Sequence, residues 1–384
     1  MRKGKNGKCI WKNAAALLMA AVLLFGLSAC GGNRQRTDVS VRELPIIHEP
    51  EFGGVYITIT IDDFNLRGFR YGDSVDLSFS NGYTLDDLPH YNGYYVDAGE
   101  PLVIAYPGYA YVKAAVNYGA DLWETAGLTT DDTAAIRLNT PGKYRAIQEA
   151  RDIHYDDERE RYTTDEIFAN FRAVSVTGLG KDIFYRSASP CDNQHKRAPY
   201  VDRLMKDAGI GCILNLADNE EKIEGYIQKE DFDSPYFLTL YEGGQVIPLA
   251  LSMNYLSDDF GKKIAAGFTE MAEKEGPYLV HCTEGKDRTG FVCMLAEALM
   301  GASYQEIVDD YMLTYDNYYK INQKSDKAKY DVILDKNLVS MMKTVVGDDQ
   351  ADLKKTDLAA AAKAYLIRSG MTEDAVERLK EKLK

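Results

Sequence analysis

The chain has 384 residues, enough for two domains, and a formal charge of −14. So acidic a balance argues against a nucleic-acid partner and against broad adsorption to anionic lipid. An anionic substrate would therefore need a local positive site.

The first element is a targeting signal. Arg2, Lys3, Lys5, Lys8 and Lys12 form a basic region, and Ala14 to Ala29 is an apolar run too short to span a bilayer comfortably. The run ends Leu27-Ser28-Ala29-Cys30-Gly31-Gly32, which resembles a bacterial lipobox. Residues 1–29 are expected to be a lipoprotein signal peptide, with Cys30 lipidated and 30–50 serving as a polar tether. Loss of the five basic residues, with no acid, takes the charge from −14 to −19. The expected location is the outer side of a bacterial cell membrane, with membrane contact through the lipid alone.

Residues 51–150 carry β signals. Val55 to Ile61 and Ser74 to Phe79 alternate, Asn81-Gly82 and Asn92-Gly93 are turn dipeptides, and Pro101 to Tyr106 is an apolar run. The pattern predicts a small β-sandwich or barrel without chemistry of its own. Its tyrosines suit either a half-packed sheet or a carbohydrate or partner surface. Residues 151–162 are highly charged and read as a linker.

From 163 to 384 the pattern becomes α/β. Helices are predicted at 197–208, 257–274, 289–301, 303–319, 335–345, 356–369 and 372–383, with strands at 212–216 and 277–281. This predicts a central sheet flanked by helices, with a functional loop at a strand's C-terminal end. Cys212 and Cys293 lie in apolar runs and read as core. No CxxC or Cys/His spacing calls for a metal, no disulfide framework is expected, and the chemistry below needs no cofactor.

That loop is His281-Cys282-Thr283-Glu284-Gly285-Lys286-Asp287-Arg288-Thr289-Gly290. An apolar strand precedes it and a helical pattern (Phe291, Leu295, Leu299) follows. Strand, tight loop and helix turn a run of backbone N–H groups toward one anion. A helix N-terminus and nearby cations favour the thiolate of Cys282, the expected nucleophile. Arg288 offers a planar fork for two phosphate oxygens. Gly285 lets the backbone approach the ligand. Thr289 suits support of the departing thiolate, and His281 suits orientation of the loop. Thr283, Glu284, Gly285, Lys286 and Gly290 are expected to line the substrate.

These ten residues resemble the phosphate-binding loop of the cysteine-dependent tyrosine and dual-specificity phosphatases, above all the bacterial secreted tyrosine/phosphoinositide type. Asn170-Phe171-Arg172, Tyr185-Arg186-Ser187, the strand Cys212 to Leu216 with Asn219-Glu220, and Asp310 to Thr314 follow in the family's order. One departure is that Asn-Phe-Arg continues as Ala173-Val174-Ser175 where the family often has Asp-Leu-Gly.

The resemblance implies a cysteine-phosphatase fold and hydrolysis in two steps through a cysteinyl-phosphate. It also implies that Asp287 is the general acid, since no Trp-Pro-Asp tripeptide occurs. Glu242 is the second choice, and Asp258 and Asp259 read as first-turn charges behind the N-cap Ser257. Lys286 is a second cation suited to substrates with several phosphates, or else a solvated lysine. Arg186 suits either the pocket or a buried ion pair. The substrate is thus a phosphorylated protein, or a phosphoinositide or inositol phosphate as in phytase-type enzymes. A catalytically silent phosphate-binding or adhesive module is the alternative from another class.

Overall fold

The computed structural model describes residues 39–384. The segment 1–29 expected to be a signal peptide, and Cys30, lie outside the described residues. The chain forms two compact units that divide between Lys143 and Tyr144.

The first unit is a closed barrel of β1 (Ser40–His48), β2 (Val55–Ile57), β3 (Ser74–Phe79), β4 (Thr84–Tyr91), β5 (Pro101–Ile104), β6 (Val112–Val116) and β7 (Thr133–Thr140), with short helices α1 (Ile61–Leu66) and α2 (Leu122–Thr125). Its strand order is β1-β2-β6-β5-β4-β3-β7, closed by β1 against β7. Closure removes the sheet edges that a seven-strand sheet would expose. Alternation places Val75, Leu77, Val55, Ile57 and Ile136 in the core. The Asn81-Gly82 turn joins β3 to β4, and Gly82 takes φ +92, a conformation that favours glycine.

Two boundaries differ from the sequence expectation. Residues 40–48 are barrel strand β1 rather than tether, because Ile46 and Val41 are buried against the barrel core. Ile61 opens helix α1 instead of continuing a strand, since Thr60 caps it by accepting from the Asp63 amide. Tyr91 is buried, whereas Tyr106 and Tyr118 are exposed.

The second unit is mixed α/β. Ahead of its sheet come α3 (Arg145–Arg151) and α4 (Asp165–Ala169). The strands are β8 (Arg172–Ala173), β9 (Phe184–Ser187), β10 (Cys212–Asn215), β11 (Val246–Pro248) and β12 (Tyr278–His281), ordered β11-β10-β12-β9-β8. β12 is central and parallel to both β10 and β9. The helices are α5 (Ala198–Asp207), α6 (Glu220–Ile227), α7 (Pro235–Glu242), α8 (Asp258–Met271), α9 (Asp287–Met300), α10 (Tyr304–Tyr319), α11 (Lys327–Ile333), α12 (Ser340–Val346), α13 (Leu358–Arg368) and α14 (Glu373–Lys382).

Strand alternation divides the core. Leu214, Val280 and Cys212 face Phe260, Ile264, Phe291 and Leu366, whereas Ile213 and Leu279 face Val201, Met205, Ile223 and Phe237. Parallel strands covered on both faces need such continuous apolar runs. Helix α9 is buried from Thr289 to Leu299 and runs through the core behind β12. Glycine at its C-cap, Gly301 with φ +93, ends it.

The helix predicted at 335–345 is instead α11, a π-helical stretch Leu334–Val339 and α12. The buried Asn337 amide in that stretch donates to the Tyr315 hydroxyl at 2.8 Å. The charged segment 151–162 is not a free linker. Asp157 pairs with Arg197 at 2.6 Å and with His195 at 3.1 Å, and Tyr162 is buried against Phe168 and Tyr318.

Candidate active site

β12 delivers the chain to the C-terminal edge of the sheet, and α9 leaves from there. The loop between them turns at Gly285, which has φ +70. A Cβ there would lie 2.2 Å from the Ser187 carbonyl oxygen and 2.8 Å from the Ala188 nitrogen. Only glycine fits so close to the backbone after β9.

The orientation of the loop follows from its carbonyls. His281 Nδ1 donates to the Cys282 carbonyl at 3.2 Å, and the Ser189 amide to that of Thr283 at 3.1 Å. The Tyr318 hydroxyl donates to the Glu284 carbonyl at 2.9 Å. The Gly285 carbonyl accepts from Asn170 Nδ2 at 3.1 Å and Arg186 Nη2 at 3.0 Å. In a trans peptide the next N–H points opposite to the carbonyl. Four consecutive carbonyls held by the scaffold therefore turn the amides of Thr283, Glu284, Gly285 and Lys286 the other way. None of these amides donates to another backbone carbonyl among the described residues. Together with the N-terminus of α9 they form an anion cradle.

Cys282 lies at the base of the loop and is 3 % exposed. Arg288 donates to the Leu251 carbonyl at 3.2 Å and the Thr283 hydroxyl at 3.3 Å. Among the described residues its Nε is buried without a partner, as is the Thr289 hydroxyl. Buried donors are rarely left unpaired, so these two are groups with spare capacity for a ligand. Burial pushes the His281 imidazole down to about 4 and keeps it neutral. Its bond to a carbonyl then requires the Nδ1–H tautomer, which suits orientation rather than base catalysis.

The scaffold beneath the loop is a buried charge network. Arg172 Nε donates to Asp310 Oδ1 at 2.9 Å, and Arg186 Nη1 to Asp310 Oδ2 at 2.5 Å. Arg172 also holds the Asn170 side chain at 2.7 Å. Burial pushes the Asp310 carboxyl up, but Arg172 and Arg186 outweigh it and hold it well below the usual range. Burial and the adjacent Asp310 charge push the Glu297 carboxyl well above its usual range. Of the two readings open for Arg186, the structure shows the buried ion pair.

The outer side chains form a second cluster. Lys286 Nζ lies 2.9 Å from Glu284 Oε2, 3.7 Å from Asp287 Oδ2 and 3.2 Å from the Tyr319 hydroxyl. Lys286 is therefore not a solvated lysine. Asp287 begins α9 and is partly exposed at the loop mouth. Gly290 is packed against Tyr311, where a Cβ would lie 2.5 Å from the ring. Its lack of a side chain thus lets α9 pack closely on Tyr311 of α10.

Glu242 is displaced from the site. It is exposed at the end of α7 and precedes β11, which runs parallel to β10 and β12. It thus lies at the N-terminal edge of the sheet, opposite the loop. Asp258 and Asp259 occupy the first turn of α8 behind Ser257, whose hydroxyl accepts from Phe260 N at 3.2 Å. Sequence reasoning missed Tyr318 and Tyr155. Tyr155 stacks on Tyr318 at 5.0 Å, and its hydroxyl lies 3.2 Å from His195 Nε2. No short motif marks either residue.

A buried thiol followed by a run of amides turned from the scaffold, with an arginine bonded to the same loop, is an arrangement suited to binding phosphate. Residues 170–384 match the tyrosine phosphatase family, and the chain belongs to that family. It is 28% identical over 117 residues to the triple specificity protein phosphatase PtpB of Mycobacterium tuberculosis, covering 27% of this chain and 42% of that protein. It is 38% identical over 58 residues to a putative tyrosine-protein phosphatase of Cupriavidus necator, covering 15% and 21%. The matches thus span less than half the length of either relative. Among solved structures, P. aeruginosa TpbA in complex with phosphotyrosine matches with 12% identity and a TM-score of 0.28, covering 51% of this chain and 94% of that one. The core catalytic domain of the PP-IP phosphatase SIW14 from S. cerevisiae, in complex with citrate, matches with 18% identity and a TM-score of 0.27, covering 43% and 84%.

Proposed function

We propose that the chain is a cysteine-dependent phosphomonoester hydrolase that acts on phosphotyrosine-type substrates. The observation that carries this reading is the cradle: four consecutive amides after Cys282 turned away from the scaffold, with Arg288 bonded to the Thr283 hydroxyl within the same loop. Cys282 Sγ attacks phosphorus as a thiolate, forming the S–P bond while the P–O bond to the leaving group breaks. Arg288 and the loop amides hold the equatorial oxygens, where charge spreads in the transition state. Asp287 gives its proton to the leaving oxygen. Water then attacks the cysteinyl-phosphate, loses its proton to Asp287, and phosphate and thiolate are released. Thr289 stabilises that thiolate.

Support for this role of Asp287 is its place at the mouth and the exclusion of Glu242 by sheet direction. The reading is tested with Cys282→Ser. Hydrolysis of p-nitrophenyl phosphate should vanish while the melting temperature is kept; full activity in that variant would refute it. The N-terminal sequence supports export and lipid anchoring through Cys30 on the outer face of a bacterial membrane. Replacement by Cys30→Ser should then move the protein from the membrane to the soluble fraction, and unchanged partition would remove the anchor.

A further inference from the structure

The mouth of the loop carries two cations and two carboxylates, and their pairing bears on substrate choice. Lys286 is the loop cation other than Arg288. Its ammonium has Glu284 at 2.9 Å and Asp287 at 3.7 Å, and it lies 5.6 Å from the centre of the Tyr319 ring. Burial pulls the Lys286 ammonium down, but Asp287, Tyr319, Tyr315 and Glu284 outweigh it and hold it well above its usual range. Glu284 is not a loose surface charge either. Burial pushes its carboxyl up, but the Lys286 ammonium beside it outweighs this and holds it below its usual range. Tyr155 is itself fixed between Tyr318, Tyr319 and His195.

From this geometry we propose that Glu284 is a specificity-determining residue that restricts the site to substrates carrying one phosphate. The first phosphate is served by the amides and Arg288. A second phosphate approaching Lys286 meets a cation already neutralised and a carboxylate held beside it. Like charges brought together at a half-buried site cost more than at an exposed one. This inference rests on the phosphatase reading above and refines its substrate class.

The test compares wild type with Glu284→Gln and Glu284→Ala. Each is assayed on p-nitrophenyl phosphate, on myo-inositol hexakisphosphate and on a short-chain phosphatidylinositol bisphosphate. The ratio of kcat/KM for the multiply phosphorylated substrates to that for the aryl phosphate should rise about tenfold in both variants. Adding Lys286→Met should abolish the gain, which mere loosening of the loop would not predict. A ratio within about twofold of wild type, or a gain that survives Lys286→Met, overturns the assignment.

The same ratio is read as binding in a Cys282→Ser background, by calorimetry with inositol hexakisphosphate and phosphotyrosine. Wild type that hydrolyses none of the three substrates would sink the phosphatase reading. The binding ratio would still judge Glu284.

Discussion

Replacing Arg186 with methionine tests how the loop is held. Arg186 is 1 % exposed and makes two bonds that matter, to Asp310 Oδ2 at 2.5 Å and to the Gly285 carbonyl at 3.0 Å. Removing one partner of a buried ion pair costs about 3–5 kcal/mol. Here Arg172 remains on Asp310, through Oδ1 at 2.9 Å and the backbone carbonyl at 2.7 Å, so the lower end, about 3 kcal/mol, applies. The Gly285 carbonyl keeps Asn170 as a donor, so its loss adds about 1 kcal/mol. Urea denaturation of Arg186→Met should thus show a loss of about 4 kcal/mol. The double variant Arg186→Met/Asp310→Asn loses the shared Arg186–Asp310 bond only once, so its destabilisation should fall about 2 kcal/mol short of the sum of the two single variants. A loss under about 1 kcal/mol, or coupling under about 0.5 kcal/mol, would show that the network does not hold the loop.

Three further outcomes follow from other parts of the structure. Gly285→Ala forces a Cβ to 2.2 Å from the Ser187 oxygen at a left-handed φ, so kcat/KM should fall by about 100-fold or more; activity within about threefold of wild type would contradict the close approach. Asp287→Asn should slow alkyl or phenyl phosphates more than p-nitrophenyl phosphate, whereas Glu242→Gln should change neither rate; an unchanged ratio in Asp287→Asn would remove it as the acid. Burial holds the His90 imidazole in the barrel down at about 4, and His281 likewise. The unfolded imidazoles take up protons near pH 6.5 while the folded ones stay neutral, so this stability is present above pH 6.5 and is lost as pH falls from there toward 4. His90→Leu should flatten that part of the stability curve, and an unaltered slope between pH 6.5 and 4 would refute the assignment.

The sequence made the loop legible because its chemistry is local. Cysteine, glycine and arginine act at fixed spacing on one turn, and the flanking strand and helix carry their own hydrophobic periods. Helices α5, α8, α9, α10, α13 and α14 were similarly legible within a few residues of their ends. Strand β1 was not, because Arg42, Glu43 and Pro45 interrupt its apolar residues and its partners lie at 55–57 and 133–137. The roles of Glu242 and Lys286 were open for the same reason. Which edge of a parallel sheet a residue occupies, and which carboxylates surround a lysine, are matters of long-range pairing. Asn170, Arg172, Arg186 and Asp310 stood out as motifs, but only the structure shows what they do: Asn170 and Arg186 reach the Gly285 carbonyl, while Asp310 and Arg172 hold those two side chains.

The central claim is that phosphate passes through the sulfur of Cys282. Rapid acid quench of the enzyme during turnover of an aryl phosphate, followed by peptide mass spectrometry, tests it most directly. The account predicts phosphate on the peptide carrying Cys282, more of it in Asp287→Asn than in wild type because hydrolysis of the intermediate is slowed, and none in Cys282→Ser. Turnover with no phosphorylated Cys282, or phosphate on another residue, would contradict it.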